Sequence, residues 1–167
     1  MKYTLSVLVE NQPGVLSKVV GLFSRRGFNI DSLAVGITED STISRITIVV
    51  NGDEYIVEQV EKQLNKVIPV IKVKTLNTSG EFISSELSLI KVNCNTKQRA
   101  EIMKIAELMH ARIVDVSTSS LTLQYADTPE NTQTLISLLK PYGIKELVGT
   151  GTVAIEKGAS TTRKQTN

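Results

Sequence analysis

An α+β fold built twice in succession is what this 167-residue sequence predicts. Three observations carry that expectation. Short alternating apolar runs are interleaved with stripes of helical period, which excludes an all-helical or all-strand chain. The order of these runs in the first half is strand, helix, strand, strand, helix, strand, and it recurs in the second half. A polar stretch, Asn77-Thr78-Ser79-Gly80, lies between the halves, and the length suits two units of about 75 residues each.

The first strand is set by Tyr3, Leu5, Val7 and Val9, which alternate with Thr4 and Ser6. Pro13-Gly14 breaks it. From Val15 the period becomes helical, with Leu16, Val19, Val20 and Phe23 on one stripe. Gly27 ends this helix after Arg25 and Arg26, cations that suit a helix C-terminus. Leu33, Val35 and Ile37 alternate as a second strand, and Thr38-Glu39-Asp40-Ser41 is a turn. Ile46, Ile48 and Val50 return as the third strand. Asn51-Gly52-Asp53 turns again, and Val57, Val60, Leu64 and Val67 sit at helical spacing. Pro69 stops that helix, and residues 70–76 read as a fourth strand.

In the second half, residues 86–93 read as a strand, and Ile102, Ile105, Ala106 and Met109 form a helical stripe. Residues 112–117 and 120–125 make two strands around Thr118-Ser119. Residues 129–140 are a helix, opened by Pro129 and closed by Pro141 and Gly143. One or two strands follow in 144–156. Two consecutive βαββαβ units imply two ferredoxin-like sandwiches, each with two helices on one sheet face and the other face open. The predicted boundaries are a first domain at 1–77, a linker at 78–82, a second domain at 83–157 and a disordered tail at 158–167. Strands this rich in Val, Ile and Leu predict a homodimer at least.

Composition excludes several functions. There are 19 basic and 17 acidic residues, a net charge of +2, spread as about +1 in each half. Neither half has the basic face of a nucleic-acid binder, and the third strand, Ile46-Thr47-Ile48-Val49-Val50, carries no aromatic residue for base stacking. A single cysteine, Cys94, allows no internal disulfide, and a single histidine, His110, allows no imidazole cluster, so no metal site is expected. Cys94 reads as a small apolar residue and His110 as a helix cap or surface cation. No convergent acid–base or nucleophile set is visible, so the chain is not expected to be an enzyme on its own. No apolar run approaches the ~18 residues of a membrane span. No signal peptide precedes the first strand, which predicts a cytoplasmic protein.

One loop remains as a candidate site. Glu10-Asn11-Gln12-Pro13-Gly14-Val15-Leu16 runs from a strand end into a helix start. Helix starts leave free backbone N–H groups and a partial positive charge, and Gly14 lets a ligand approach the backbone, a combination that suits a carboxylate. Two readings of Asn11 stand side by side. It caps the helix, or it binds a ligand head group, with its oxygen facing an ammonium or its NH₂ facing a carboxylate.

Asn11-x-Pro-Gly-Val-Leu resembles the amino-acid-binding loop of ACT domains, small regulatory modules that bind amino acids at dimer interfaces. The likeness continues through Gly21-Leu-Phe-Ser-Arg-Arg-Gly27, Asn29-Ile-Asp-Ser-Leu33, Ser44-Arg-Ile-Thr47 and Ile113-Val-Asp-Val116. Over residues 3–157 the chain resembles the small regulatory subunits of acetolactate synthase. Lys18 stands where that family usually has Arg, and Val148-Gly-Thr-Gly151 lacks an arginine common in relatives.

The resemblance implies a branched-chain amino acid ligand, with valine expected. Its carboxylate would meet the N–H groups of Gly14, Val15 and Leu16, and Asn11 would meet the head group. Asn29 and Ile30 would come from a second subunit, and Leu16, Ile30 and Val35 would line the apolar part. The resemblance further implies a separate catalytic subunit carrying thiamine diphosphate, Mg and FAD, which this chain would activate and place under feedback inhibition. The alternative is an ACT-type amino-acid sensor for a different biosynthetic enzyme.

Overall fold

The computed structural model describes residues 1–163. It divides the chain into two compact units. In unit 1 the order is β1 (Lys2–Glu10), α1 (Val15–Arg26), β2 (Ile30–Ile37), β3 (Ile43–Asn51), α2 (Glu54–Leu64) and β4 (Val70–Thr75). The sheet runs β2-β3-β1-β4 and every neighbouring pair is antiparallel. That is the ferredoxin-like arrangement predicted from the run order.

The helical side of this sheet is an apolar core. Leu5 and Val7 of β1 meet Ile46 and Ile48 of β3, and Val19 and Phe23 of α1 and Val60 and Leu64 of α2 close over them. Phe23 is 1% exposed and sits edge-on to Phe28. Truncating such a side chain costs about 3–5 kcal/mol. Helix α1 ends as its sequence predicts, on Gly27 in the left-handed region (φ 68°), with Arg25 and Arg26 in the last turn. Asp53 caps α2 by accepting from the Ile56 N–H.

The opposite face of unit 1 is covered, which corrects the expectation of an open sheet. Thr4, Ser6 and Leu8 of β1 and Thr47 and Val49 of β3 point away from the helices, yet all five are buried. A returning segment forms part of the cover: residues 152–163 group with unit 1, and unit 2 is confined to Ser84–Gly151. The predicted 83–157 domain is therefore too long at its C-terminal end. The Thr152 N–H donates to Ser32 Oγ at 2.8 Å. Strand β9 (Val153–Glu156) follows, with Ala154 and Glu156 turned in and Val153 and Ile155 exposed. Glu156 pairs with Lys74 of β4, and the Arg45 guanidinium donates to the Thr162 carbonyl at 2.9 Å. The backbone register puts Ser32, Arg45 and Lys74 on the helix-free face.

Of the predicted disordered tail, residues 158–163 are described and Thr162 is buried, so that part is a correction. Residues 164–167 lie outside the described residues. The predicted 78–82 linker is also tied down, with the Thr78 hydroxyl donating to the Thr75 carbonyl and the Lys157 N–H to the Glu81 carbonyl. A single helical turn, α3 (Leu76–Ser79), follows β4. Within it the Asn77 side chain accepts from the Thr4 N–H at 2.7 Å and donates to the Lys2 carbonyl.

Unit 2 repeats the topology. Strand β5 (Phe82–Asn93) enters it, followed by α4 (Arg99–Met109), β6 (Arg112–Val116), β7 (Ser120–Asp127), α5 (Pro129–Leu139), a 3₁₀ turn at Lys140–Tyr142 and β8 (Ile144–Gly149). The sheet order is β6-β7-β5-β8, and β9 pairs with β5. Ile90, Val92, Leu121 and Leu123 of the sheet pack beneath Ile102, Leu135 and Leu139 of the helices. The helix-free face of this sheet keeps Leu89 exposed. Cys94 is buried, and His110 is the C-cap of α4 with φ 59°, both structural roles. Asp127 binds the Thr128 N–H, the Asn131 amide and the Tyr125 hydroxyl. The Thr128 bond first, then Asn131, holds its carboxyl below the usual range. Among the described residues, no helix is long and apolar enough to cross a membrane, and no cluster of three metal-ligating side chains occurs.

Candidate functional site

The loop after β1 is held from two sides. The Glu10 N–H bonds to the Pro69 carbonyl and the Asn11 N–H to the Thr42 carbonyl, at 2.9 and 2.8 Å. The Asn11 amide donates to the Ser41 carbonyl at 2.9 Å, across to the turn between β2 and β3. Asn11 therefore does not cap α1. The N-cap is Gly14, which has no side chain to do so, and it sits in the left-handed region at φ 82°. No atom lies within 4 Å of where a Cβ would stand on Gly14, so backbone conformation rather than crowding demands glycine there.

The helix start is open to solvent. The Val15 N–H makes a long 3.4 Å turn bond to the Gln12 carbonyl. Among the described residues, the N–H groups of Gly14, Leu16 and Ser17 bond to no acceptor. Ser17 was absent from the predicted set, although the rule that a helix leaves its first donors unpaired covers it as well. The Val15 side chain is 5% exposed and belongs to the core, so only its backbone faces the loop. Leu16 points outward, 41% exposed. Val35 and Ile37, on the helical side of edge strand β2, are exposed at the same end of the sheet.

Asn29 and Ile30 are not at this end. Asn29 precedes β2, and its amide approaches Asp31 at 3.4 Å, with Asp31 in turn paired with Lys2. Ile30 opens β2, opposite Val50, and packs half-buried on the core. The turn that holds Asn11 follows the other end of β2. Eight residues of strand separate the two groups, about 23 Å at the rise of an extended chain. Within one chain, then, the structure brings Asn11, Gly14, Val15 and Leu16 together and leaves Asn29 and Ile30 apart.

Unit 2 has an equivalent loop, between β5 and α4, with different chemistry. Asn95 Oδ1 accepts from the Gln98 N–H at 2.8 Å, and Gln98 Oε1 accepts from the Asn95 N–H at 3.3 Å. The Arg99 N–H bonds to the Asn95 carbonyl. This reciprocal pair ties the loop to itself, although the α4 N-cap Gln98 makes no side-chain cap bond to the helix.

An antiparallel βαββαβ sheet with a glycine-led first helix fits an ACT-type protein, here with a second unit of the same topology appended. Residues 5–72 match the family described as "AHAS small subunit-like ACT domain", and residues 85–158 match "Small subunit of acetolactate synthase". The chain belongs to the acetolactate synthase small-subunit family. It is 50% identical to the "Probable acetolactate synthase small subunit" of Archaeoglobus fulgidus, over 95% of this chain and 98% of that one. It is 49% identical to the "Acetolactate synthase small subunit" of Mycolicibacterium smegmatis, over 93% and 91%. The crystal structure of the small subunit from Thermotoga maritima superposes with a TM-score of 0.88 at 35% identity, covering 96% of this chain and 99% of that one.

Proposed function

We propose that this chain is a non-catalytic regulatory subunit that activates an acetolactate synthase catalytic subunit and makes it sensitive to valine. The observation that carries the reading is the open start of α1 beside Asn11, in a chain of this family. The valine carboxylate meets the N–H groups of Gly14, Leu16 and Ser17, where the helix dipole favours an anion. Leu16, Val35 and Ile37 offer the apolar contact for its side chain.

The site is completed by a second copy. Strand β2 is the sheet edge and its Ser32–Ile37 stretch pairs regularly on its inner side. Two such edges meeting antiparallel about a two-fold axis carry the start of one β2 towards the end of the other. That places Asn29 and Ile30 of one copy near the Asn11 loop of its partner, which one chain alone does not achieve. Thiamine diphosphate, Mg and FAD belong to the catalytic subunit. Inhibition requires valine to bind the inhibited and active complexes unequally, by about 1–3 kcal/mol in typical couplings.

The test is a calorimetric titration of the full chain with valine, leucine and isoleucine, repeated with Gly14→Asp. Asp tolerates the left-handed region better than most residues, so the variant should fold. Its carboxylate occupies the ground the ligand's carboxylate needs. Saturable valine binding that falls by about 100-fold or more in the variant supports the reading. Equal binding by both proteins removes the loop from the site.

A further inference from the structure

The turn between β2 and β3 is more heavily bonded than an exposed four-residue turn needs to be. Asp40 Oδ1 accepts from both the Thr42 N–H, at 2.9 Å, and the Thr42 hydroxyl, at 2.6 Å. The Asp40 N–H donates to Thr38 Oγ1, which lies 3.0 Å from the carbonyl oxygens of Asp40 and Ile43. The Thr38 N–H bonds to the Ile43 carbonyl and the Ile43 N–H to the Asp40 carbonyl. This network fixes the peptide planes of residues 41 and 42. Their two carbonyls are the ones that hold Asn11.

The consequence is chemical. A carbonyl oxygen only accepts, so the side of the Asn11 amide that faces Ser41 must be its NH₂. With that group anchored, the planar amide is locked and its oxygen is the group left to meet a ligand. An amide oxygen attracts an ammonium and repels a carboxylate. The loop thus acquires a polarity, with an acceptor at Asn11 and donors at Gly14, Leu16 and Ser17.

We propose that Asp40 is a positioning residue for ammonium recognition: by clamping the turn it aims the Asn11 oxygen at the ligand's amino group. The inference rests on the reading that this loop binds an amino acid. It assigns the ammonium to Asn11 and the carboxylate to the helix start, and it makes a residue outside the loop responsible for telling amino acids from simple carboxylic acids.

The experiment compares valine with 3-methylbutanoate, which keeps the carboxylate and the side-chain branch and lacks the amino group. Full-length wild type, Asp40→Ala, Asp40→Asn and Thr42→Val are titrated with each, with circular dichroism to confirm folding. Wild type should prefer valine by about tenfold or more, the value of a hydrogen bond to a charged group. Asp40→Ala should lose most of that preference while binding 3-methylbutanoate as wild type does. Asp40→Asn should retain it, because an amide oxygen accepts the same two bonds. Thr42→Val, which removes only the hydroxyl bond, should fall between. The proposal is overturned if Asp40→Ala keeps the full preference, or if it loses both ligands equally, as a purely structural role would require. Wild type binding neither ligand is a separate result, which would sink the loop reading and this inference with it.

Discussion

In unit 1 the strand-to-helix loop opens onto an uncapped helix, whereas in unit 2 the equivalent loop closes on itself through Asn95 and Gln98. The edges differ in the same sense. Strand β2 has eight residues, with its irregularity confined to the start at Ile30–Ser32. Strand β6 has five, with a bulge in the middle between Ile113 and Asp115. A short, bulged edge resists strand pairing, and a longer regular one invites it. Unit 1 thus combines a glycine-led loop open to solvent with a pairable edge, and unit 2 repeats the fold with a loop bonded to itself and a shorter, bulged edge. Topology is inherited as a block, while a site depends on a few local choices.

The largest expected effect would break this comparison at the edges. Lysine on an edge strand blocks pairing, and both Val35 and Val114 are exposed, so neither substitution disturbs a core. Val35→Lys should convert the proposed dimer to monomer by sedimentation velocity, and Val114→Lys should leave the association state of the wild type unchanged. The reverse result would move the self-association surface to unit 2.

A smaller effect tests the capped loop. Asn95→Ala removes the acceptor of the Gln98 N–H and should lower stability by about 1 kcal/mol in a urea titration. Valine affinity should be unchanged, since no ligand is assigned there. A large loss of valine binding would show that unit 2 shares the site.

The smallest effect compares the helix ends. Helix α1 closes on Gly27 and α4 on His110, both in the left-handed region. An L-residue is strained there by about 1–2 kcal/mol, while glycine gives back about 0.5–1 kcal/mol in unfolded-state entropy. His110→Gly should therefore stabilise by about 0.5–1 kcal/mol, read as a higher urea midpoint. A lower midpoint would mean that the imidazole makes a contact worth more than the strain.

Periodicity made the paired βαββαβ order legible, because each core stripe is continuous in sequence: Val19 with Phe23, Leu5 with Val7, Leu135 with Leu139. The punctuation at Gly27, Pro69 and Pro129 placed the ends. The covered face was not legible. Thr4, Ser6 and Thr47 are polar, and polar alternation ordinarily marks solvent. Residues more than 100 positions later return over this face, with α3 lying beside β1, and Ala154, Glu156 and Thr162 carry no pattern that announces this. At the loop, Pro-Gly and the helix start were readable, while the engagement of Asn11 by Ser41 was not. That bond joins residues thirty apart and follows from register, which a single sequence does not specify.

The returning segment has a consequence for how the protein is made. Since residues from Thr152 onward complete unit 1, unit 2 is topologically an insertion within it. Ribosomes add about 5–20 residues per second, so Glu156 emerges roughly 8–30 s after Ser6. For the latter part of that interval, once β4 has emerged, the nascent first sheet has its helices but lacks the returning segment over its polar face. The second unit can fold in the meantime from contacts wholly its own. Maturation of the first unit therefore waits for residues 152–163, and a chain stalled or clipped before them would present a finished second unit beside an unclosed first.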